Sequence, residues 1–413
     1  MTSPPPTDAA DYVSQRHQPM RFAEFVVVIA SLMALTALAT SMMLAVLAEI
    51  GRTFGVETTS TQAVLTAFFI GFSAGQFVVG PISDRFGRRP ILLGGVTLYL
   101  VATVLCVLAQ SFETLLVARF LQGLGVAAPR VITISVVRDC YSGRRMASVM
   151  SLAMTALMVI PVVAPAFGQL VVLALPWRWI FVFLGLYGLV AMAWTYVRLP
   201  ETLAAENKRS LQPLSILSAV WQALTTRRTL GYMLATGFTQ GSLLATLYAA
   251  PQVMGELLGM GHYFTIAFGV AAAAMSFGQF LNSQLVGRLG MRLLSHGAIV
   301  AGTLLSVLLL VLARADVIGP VSYTAFMCLC NALFMAASSN FNAMAMEPQG
   351  RIAGTASSLF GSVTTMLQAL IAHTIGQAYD GTMIPLAAGM VGCGVIIIVI
   401  AAITERGKLF GRH

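Results

Sequence analysis

Twelve apolar runs, each long enough to cross a bilayer as a helix, limit what this chain can fold into. They cover approximately residues 22–48, 60–82, 91–110, 114–137, 147–173, 178–198, 229–253, 262–286, 293–313, 320–345, 353–377 and 383–403. A helix needs about 20 residues to cross about 30 Å of hydrocarbon. The runs are continuous rather than alternating, which favours helices over a barrel, because a helix satisfies its own backbone groups in lipid. Hydrophobic residues make up 58% of the 413 and charged residues 9%. A soluble domain averages about 25% charged, so this balance excludes one water-soluble core.

The polar stretches between runs give the organisation. Residues 1–21 read as a disordered cytoplasmic tail, and the run from Phe22 as a retained span rather than a removed signal. The longest interruption, 199–228, reads as a cytoplasmic linker with an amphipathic piece around Ile216–Leu224. It separates six spans in 22–198 from six in 229–403, and 404–413 form a second cytoplasmic tail. With both termini inside, 19 Lys and Arg fall on the cytoplasmic side, three on the other, and Arg119 and Arg130 within a span. That asymmetry is the positive-inside pattern. The net charge of +9 is spread over short loops and forms no basic domain, so no nucleic acid partner is implied. The five cysteines fall mostly inside apolar runs and read as buried free thiols. No phosphate-binding loop of the G-x-x-x-x-G-K-[ST] form is present, and no cofactor is implied.

One loop is unusually charged: Gly80-Pro81-Ile82-Ser83-Asp84-Arg85-Phe86-Gly87-Arg88-Arg89. Gly75, Gln76, Phe77, Arg85, Gly87 and Arg89 recur 203 residues later as Gly278, Gln279, Phe280, Arg288, Gly290 and Arg292. A second echo pairs Arg145-Met146-Ala147 with Arg351-Ile352-Ala353. Six spans per half in parallel orientation fit two bundles related by an axis along the membrane normal, with a substrate site at their interface. The expected fold is therefore all-α: 12 transmembrane helices in two pseudo-symmetric six-helix bundles.

These residues resemble the major facilitator superfamily. The Asp84-Arg85-Phe86-Gly87-Arg88-Arg89 loop after span 2 is similar to its most specific signature. Arg119-Phe120-Leu121-Gln122-Gly123 resembles its span 4 element, and Pro161 to Gly168, with Pro165, resembles the span 5 element associated with antiporters. Val137-Arg138-Asp139, Trp177-Arg178-Trp179 and Leu199-Pro200-Glu201-Thr202 look like the bicyclomycin/chloramphenicol-resistance efflux branch. The resemblance implies a proton-coupled drug exporter of the bacterial inner membrane, and it assigns Arg119, with Gln122 and Gly123, a part in coupling. The branch usually carries an Asp in span 1 where this chain has Ser41, so that acid's role does not carry over.

Other residues are read from their chemistry. Asp84 is unnecessary for topology, so the Gly80, Asp84, Arg85, Gly87, Arg88, Arg89 turn is expected to be a conformational latch, its acid paired with arginines or with helix ends of the other bundle. Its twin has Gly287 in place of Asp84 and should latch more weakly. Arg119 and Arg130 are 11 residues apart, which puts them about 20° apart around a helix. Their stripe is expected to face the central cavity, with snorkelling as the alternative. Met42, Phe238, Gln240, Tyr248, Asn331 and Phe334 are possible substrate contacts; interhelical glue or core packing competes for each. Gln240, Asn282, Asn331, Asn340, Gln368 and His373 are the polar residues to sort in this way. No acid lies clearly at the midplane, and Glu24, Glu49, Glu256 and His373 are the nearest proton-carrying candidates. The expected function is proton-driven export of small lipophilic molecules by a monomer in a lipid bilayer; the alternative is an organic-anion or metabolite exporter or facilitator. A membrane enzyme would need a clustered catalytic constellation and a receptor a soluble domain, and the sequence offers neither.

Overall fold

The computed structural model describes residues 20–203, 213–260 and 263–411, and every regular element among them is a helix. The first apolar run gives α1 (Phe22–Ser41), a 3-10 segment (Met42–Ala45) and α2 (Leu47–Phe54). One turn, α3 (Thr58–Thr61), leads into α4 (Ala63–Phe86), followed by α5 (Arg88–Leu108), α6 (Phe112–Cys140), α7 (Gly143–Ala174) and α8 (Arg178–Arg198). Beyond α9 (Pro213–Thr225) come α10 (Arg227–Ala250) with a π-helical turn (Pro251–Leu257), α11 (Phe264–Leu289) and α12 (Met291–Arg314). α13 (Pro320–Met346), α14 (Ala353–Gln377) and α15 (Ile384–Thr404) complete the chain.

Local chemistry sets several boundaries. Ser111 caps α6 by accepting from the Thr114 N–H at 3.2 Å. Pro320 opens α13, where a missing N–H costs nothing. Among the described residues nine helices are long and apolar enough to cross a membrane. The other three runs are also helical, over Gly143–Ala174 (32 residues), Arg227–Ala250 (24) and Phe264–Leu289 (26). At 1.5 Å per residue each exceeds the thickness of the hydrocarbon layer. The outer surface is apolar: Leu173, Val197 and Val321 are 83%, 76% and 85% exposed. A surface of that kind is stable against lipid and not against water.

The repeat is a repeat of structure. α4 and α11 end at Phe86 and Leu289, and α5 and α12 begin at Arg88 and Met291, so both boundaries are 203 residues apart. A single glycine joins each pair, Gly87 at φ 106° and Gly290 at φ 82°, a region closed to ordinary side chains. α8 and α15 both start and stop 206 residues apart. Within the first half α6 packs on α4 and α5, α1 on α7, and α5 on α8. In the second half α10 packs on α13, α14 and α15, and α13 on α11 and α12. The halves meet where α4 lies on α14 and α7 on α11, a pair of seams that the internal symmetry exchanges.

α9 lies at the place of the expected amphipathic piece, with Ala219 and Ala223 buried and Leu217 and Trp221 exposed. The rest of the expected linker over 204–212, and residues 1–19 of the expected tail, lie outside the described residues. All five cysteines are free; Cys328 is half-buried and the others are buried.

Candidate functional site

The charged turn is built around Arg88, which is buried. Its guanidinium meets Asp84, one turn back, at 2.5 Å, and Asp139 at the end of α6 at 3.1 Å, and also donates to the Ser83 hydroxyl at 2.8 Å. Glu201 closes the other side. Its carboxylate accepts from the backbone N–H groups of Arg88 and Arg89 at 2.9 and 3.2 Å, the free donors that open α5. Arg89 donates to the Tyr196 carbonyl and lies over its ring. Arg85 lies over Phe86 at the surface.

Asp84 was expected to pair with arginines or across to the other bundle; the ion pairs of the turn stay within its own half. What crosses is Gly80, where an added Cβ would lie 2.6 Å from the Ser358 hydroxyl of α14. Asp139 and Glu201, central to this network, were legible only as parts of the Val-Arg-Asp and Leu-Pro-Glu-Thr segments. In the twin turn Met291 stands for Arg88. Arg292 makes one ion pair, to Glu405 at 3.1 Å, and Glu405 also accepts from the Tyr232 hydroxyl at 2.7 Å.

Arg119 is fully buried inside the first half, so the expected cavity-facing stripe does not hold for it. Its Nε donates to the Val64 carbonyl (3.2 Å), Nη1 to Gln122 Oε1 (2.5 Å) and Nη2 to the Ala39 carbonyl (3.3 Å). Phe68 and Phe181 flank it, with ring centroids at 4.4 and 5.8 Å. Gln122 passes the link on to the Thr103 hydroxyl at 2.7 Å. Ala39 lies in the last turn of α1, where helix carbonyls lack partners and the dipole is negative. α1 ends at Ser41, 8% exposed, and Met42 begins the 3-10 segment, so the place of the branch's acid is a break in the helix. Among the described residues the ion pairs are Asp84–Arg88, Arg88–Asp139, Glu24–Arg198 and Arg292–Glu405, and none includes Arg119 or Arg130.

Close contacts explain the small residues. Gly71 and Gly123 face each other across α4 and α6, and a Cβ on Gly123 would lie 1.9 Å from the Phe68 carbonyl. Pro161 lies within α7; its side chain is outside the described ones. Pro165 is buried, and Gly168 brings α7 against Met42 and Ala45 at the break in span 1.

A polar ladder runs down the α4–α14 seam. Gln377 donates to the Thr59 carbonyl at 2.7 Å, Thr66 and His373 meet at 3.3 Å, Ser73 donates to the Ser362 carbonyl at 2.7 Å, and Gln76 donates to Thr365 at 3.0 Å. Gln62 adds a bond to Gln252 at 3.2 Å. The sequence singled out His373 among these as a polar span residue, and Gln76 only as part of the repeat. The remaining polar residues sort by partner. Asn282 and Asn340 exchange amide bonds at 2.8 and 3.3 Å, and Asn331 accepts from Thr246 at 3.5 Å, so these hold the second half together. Gln240 and Gln368, both half-buried, have no hydrogen-bond partner among the described residues. Of the two readings given for Phe334, the core one holds: it is fully buried against Gly302, where α12 meets α13. Tyr248 is buried at 1% exposure, whereas Phe238 is half-buried. Of the acids, Glu24 is held by Arg198 at 2.7 Å, Glu49 accepts from the Trp177 N–H at 3.3 Å, and Glu256 is exposed.

The Major Facilitator Superfamily profile matches residues 29–373. The chain belongs to that superfamily. It is 32% identical over 355 residues to a bicyclomycin resistance protein homolog of Haemophilus influenzae, covering 85% of this chain and 88% of that protein. It is also 32% identical over 275 residues to a chloramphenicol resistance protein of Pseudomonas aeruginosa, covering 64% of this chain and 63% of the relative. These similarities put this superfamily member in the bicyclomycin/chloramphenicol-resistance branch. The xylose transporter XylE from E. coli, in a partially occluded inward-open conformation, shares the fold alone, with a TM-score of 0.72 at 14% identity over 95% of this chain and 99% of that one.

Proposed function

We propose that this protein exports small lipophilic molecules by alternating access, driven by proton antiport. The observation that carries the proposal is the α4–α14 seam. Two bundles that meet through a ladder of separate hydrogen bonds, two of them to backbone carbonyls, can part and re-form at low cost. The resistance functions in the relatives' names supply the substrate class. Both termini lie in the cytoplasm, following the Lys and Arg distribution, in the inner membrane of a bacterium, and the protein works as a monomer. The Asp84, Arg88, Asp139 and Glu201 network then sits at the cytoplasmic end, where it stiffens α4 and α5 against the linker while Gly80 slides on Ser358. Nothing in this mechanism makes or breaks a covalent bond, so the protein is no enzyme.

The proposed proton carrier is His373, at the seam. Arg119 has no acid beside it, and His373 brings a titratable ring into the ladder opposite Thr66. A second reading, export of an organic anion or small metabolite, is favoured by two span arginines without acid partners. Proteoliposomes with an imposed pH gradient test the main one. Drug-dependent proton movement is expected, and it should be lost in His373→Ala with binding retained. Transport of substrate without any proton movement rules out antiport.

A further inference from the structure

We infer that Arg130 and Thr133 of α6 form an anion-recognition subsite for a carboxylate or similar oxyanion on the transported molecule. The inference rests on the export reading above and adds the chemistry of the cargo. Arg130 lies ten residues before Cys140, where α6 ends, or about 15 Å along the helix. A snorkelling arginine buries its stem and keeps its head in water. Arg130 does not fit that pattern: the residue is half-buried, and Nη1 is shielded and has no partner. Burying an unpaired guanidinium is costly, and charges within spans otherwise face a partner or a cavity. One turn on from Arg130, Ile134 is 39% exposed.

Thr133 carries the second observation. Buried threonines here satisfy their hydroxyls on the carbonyl four residues back, as Thr103, Thr195, Thr236, Thr239 and Thr303 do at 2.7 Å. Thr133 is fully buried, yet its hydroxyl has no partner. Residues three apart are neighbours on a helix surface, so a cation and a hydroxyl, both unpartnered, stand side by side. No ion pair among the described residues includes Arg130: Glu24 is held by Arg198, and Asp84 and Asp139 by Arg88. An anionic group on the cargo supplies the missing counter-charge, and a planar guanidinium fits a carboxylate through two parallel bonds. Arg119, on the same stripe, is excluded because both Nη atoms and Nε already donate within the protein.

The test uses one fluorescent ring system with and without charge: 7-hydroxycoumarin-3-carboxylate and its 3-carboxamide. Binding is measured on purified full-length protein and transport in proteoliposomes. Wild type is expected to favour the carboxylate at least tenfold. Arg130→Gln should remove that preference, Arg130→Lys should keep part of it, and Thr133→Val should weaken it several-fold. Equal handling of both probes by wild type, a preference that survives Arg130→Gln, or no binding of the carboxylate overturns the inference. Arginine-dependent carboxylate binding without transport of either probe would sink the export reading and leave the subsite standing. Transport of the carboxamide alone would do the opposite.

Discussion

Arg119 and Arg130 share a helix face, and their surroundings separate them. Arg119 is enclosed by carbonyls, an amide and two aromatic rings, whereas Arg130 has no partner for its buried nitrogen. A residue held against its own cost in stability should be replaceable with a gain in stability. Arg130→Met is therefore expected to raise the thermal midpoint in detergent while lowering carboxylate transport; a lowered midpoint would show that the charge is structurally paired. Glycines give a sharper contrast. A methyl on Gly123 would collide with the Phe68 carbonyl, but one on Gly94 would meet nothing within 4 Å. Gly123→Ala should cost about 1–3 kcal/mol or more, as overpacked sites do, and Gly94→Ala almost nothing, read from melting curves of the two variants side by side.

At the scale of elements, the turn between α4 and α5 owes its strength to acids far away in sequence. Arg88 is 5% exposed at the side chain, Asp139 18% and Asp84 33%. The more buried partner contributes more, because water competes less for it. Asp139→Asn should therefore destabilise the protein more than Asp84→Asn, by about 1–3 kcal/mol, in thermal unfolding followed by far-UV circular dichroism. Glu201→Gln should loosen the start of α5, since a neutral amide caps helix N–H groups less well than a carboxylate. Accelerated hydrogen exchange at residues 88–92 is the readout, and unchanged protection there would remove Glu201 from the cap.

For the whole molecule the decisive feature is the seam between halves. Gly80 and Ser358 approach closely at the end of the seam nearest Asp84. In a cysteine-free background, Gly80→Cys with Ser358→Cys should cross-link and arrest transport, and reduction should restore it. A cross-linked protein that transports at the normal rate would mean that this end never opens. The five native cysteines, four of them buried, would be replaced first.

The sequence by itself determined the number, length and pairing of the spans. Hydrocarbon demands about 20 apolar residues per crossing, and the offset of 203 marks both the end of α4 and α11 and the start of α5 and α12. It also marked Arg119 and Arg130, the two cations within a span, as costly residues that need an explanation. Tertiary structure alone decided which neighbours each one meets. Asp139 and Glu201 reach Arg88 across 51 and 113 residues of chain. Phe334, Tyr248, Gln240 and Asn331 look alike as apolar-span residues, but packing makes Phe334 and Tyr248 core, Asn331 glue, and leaves Gln240 without a partner. Helical periodicity fixes the direction of a side chain around its own axis. What occupies that direction depends on how helices rotate and approach, and the partners that set this lie far apart in the chain.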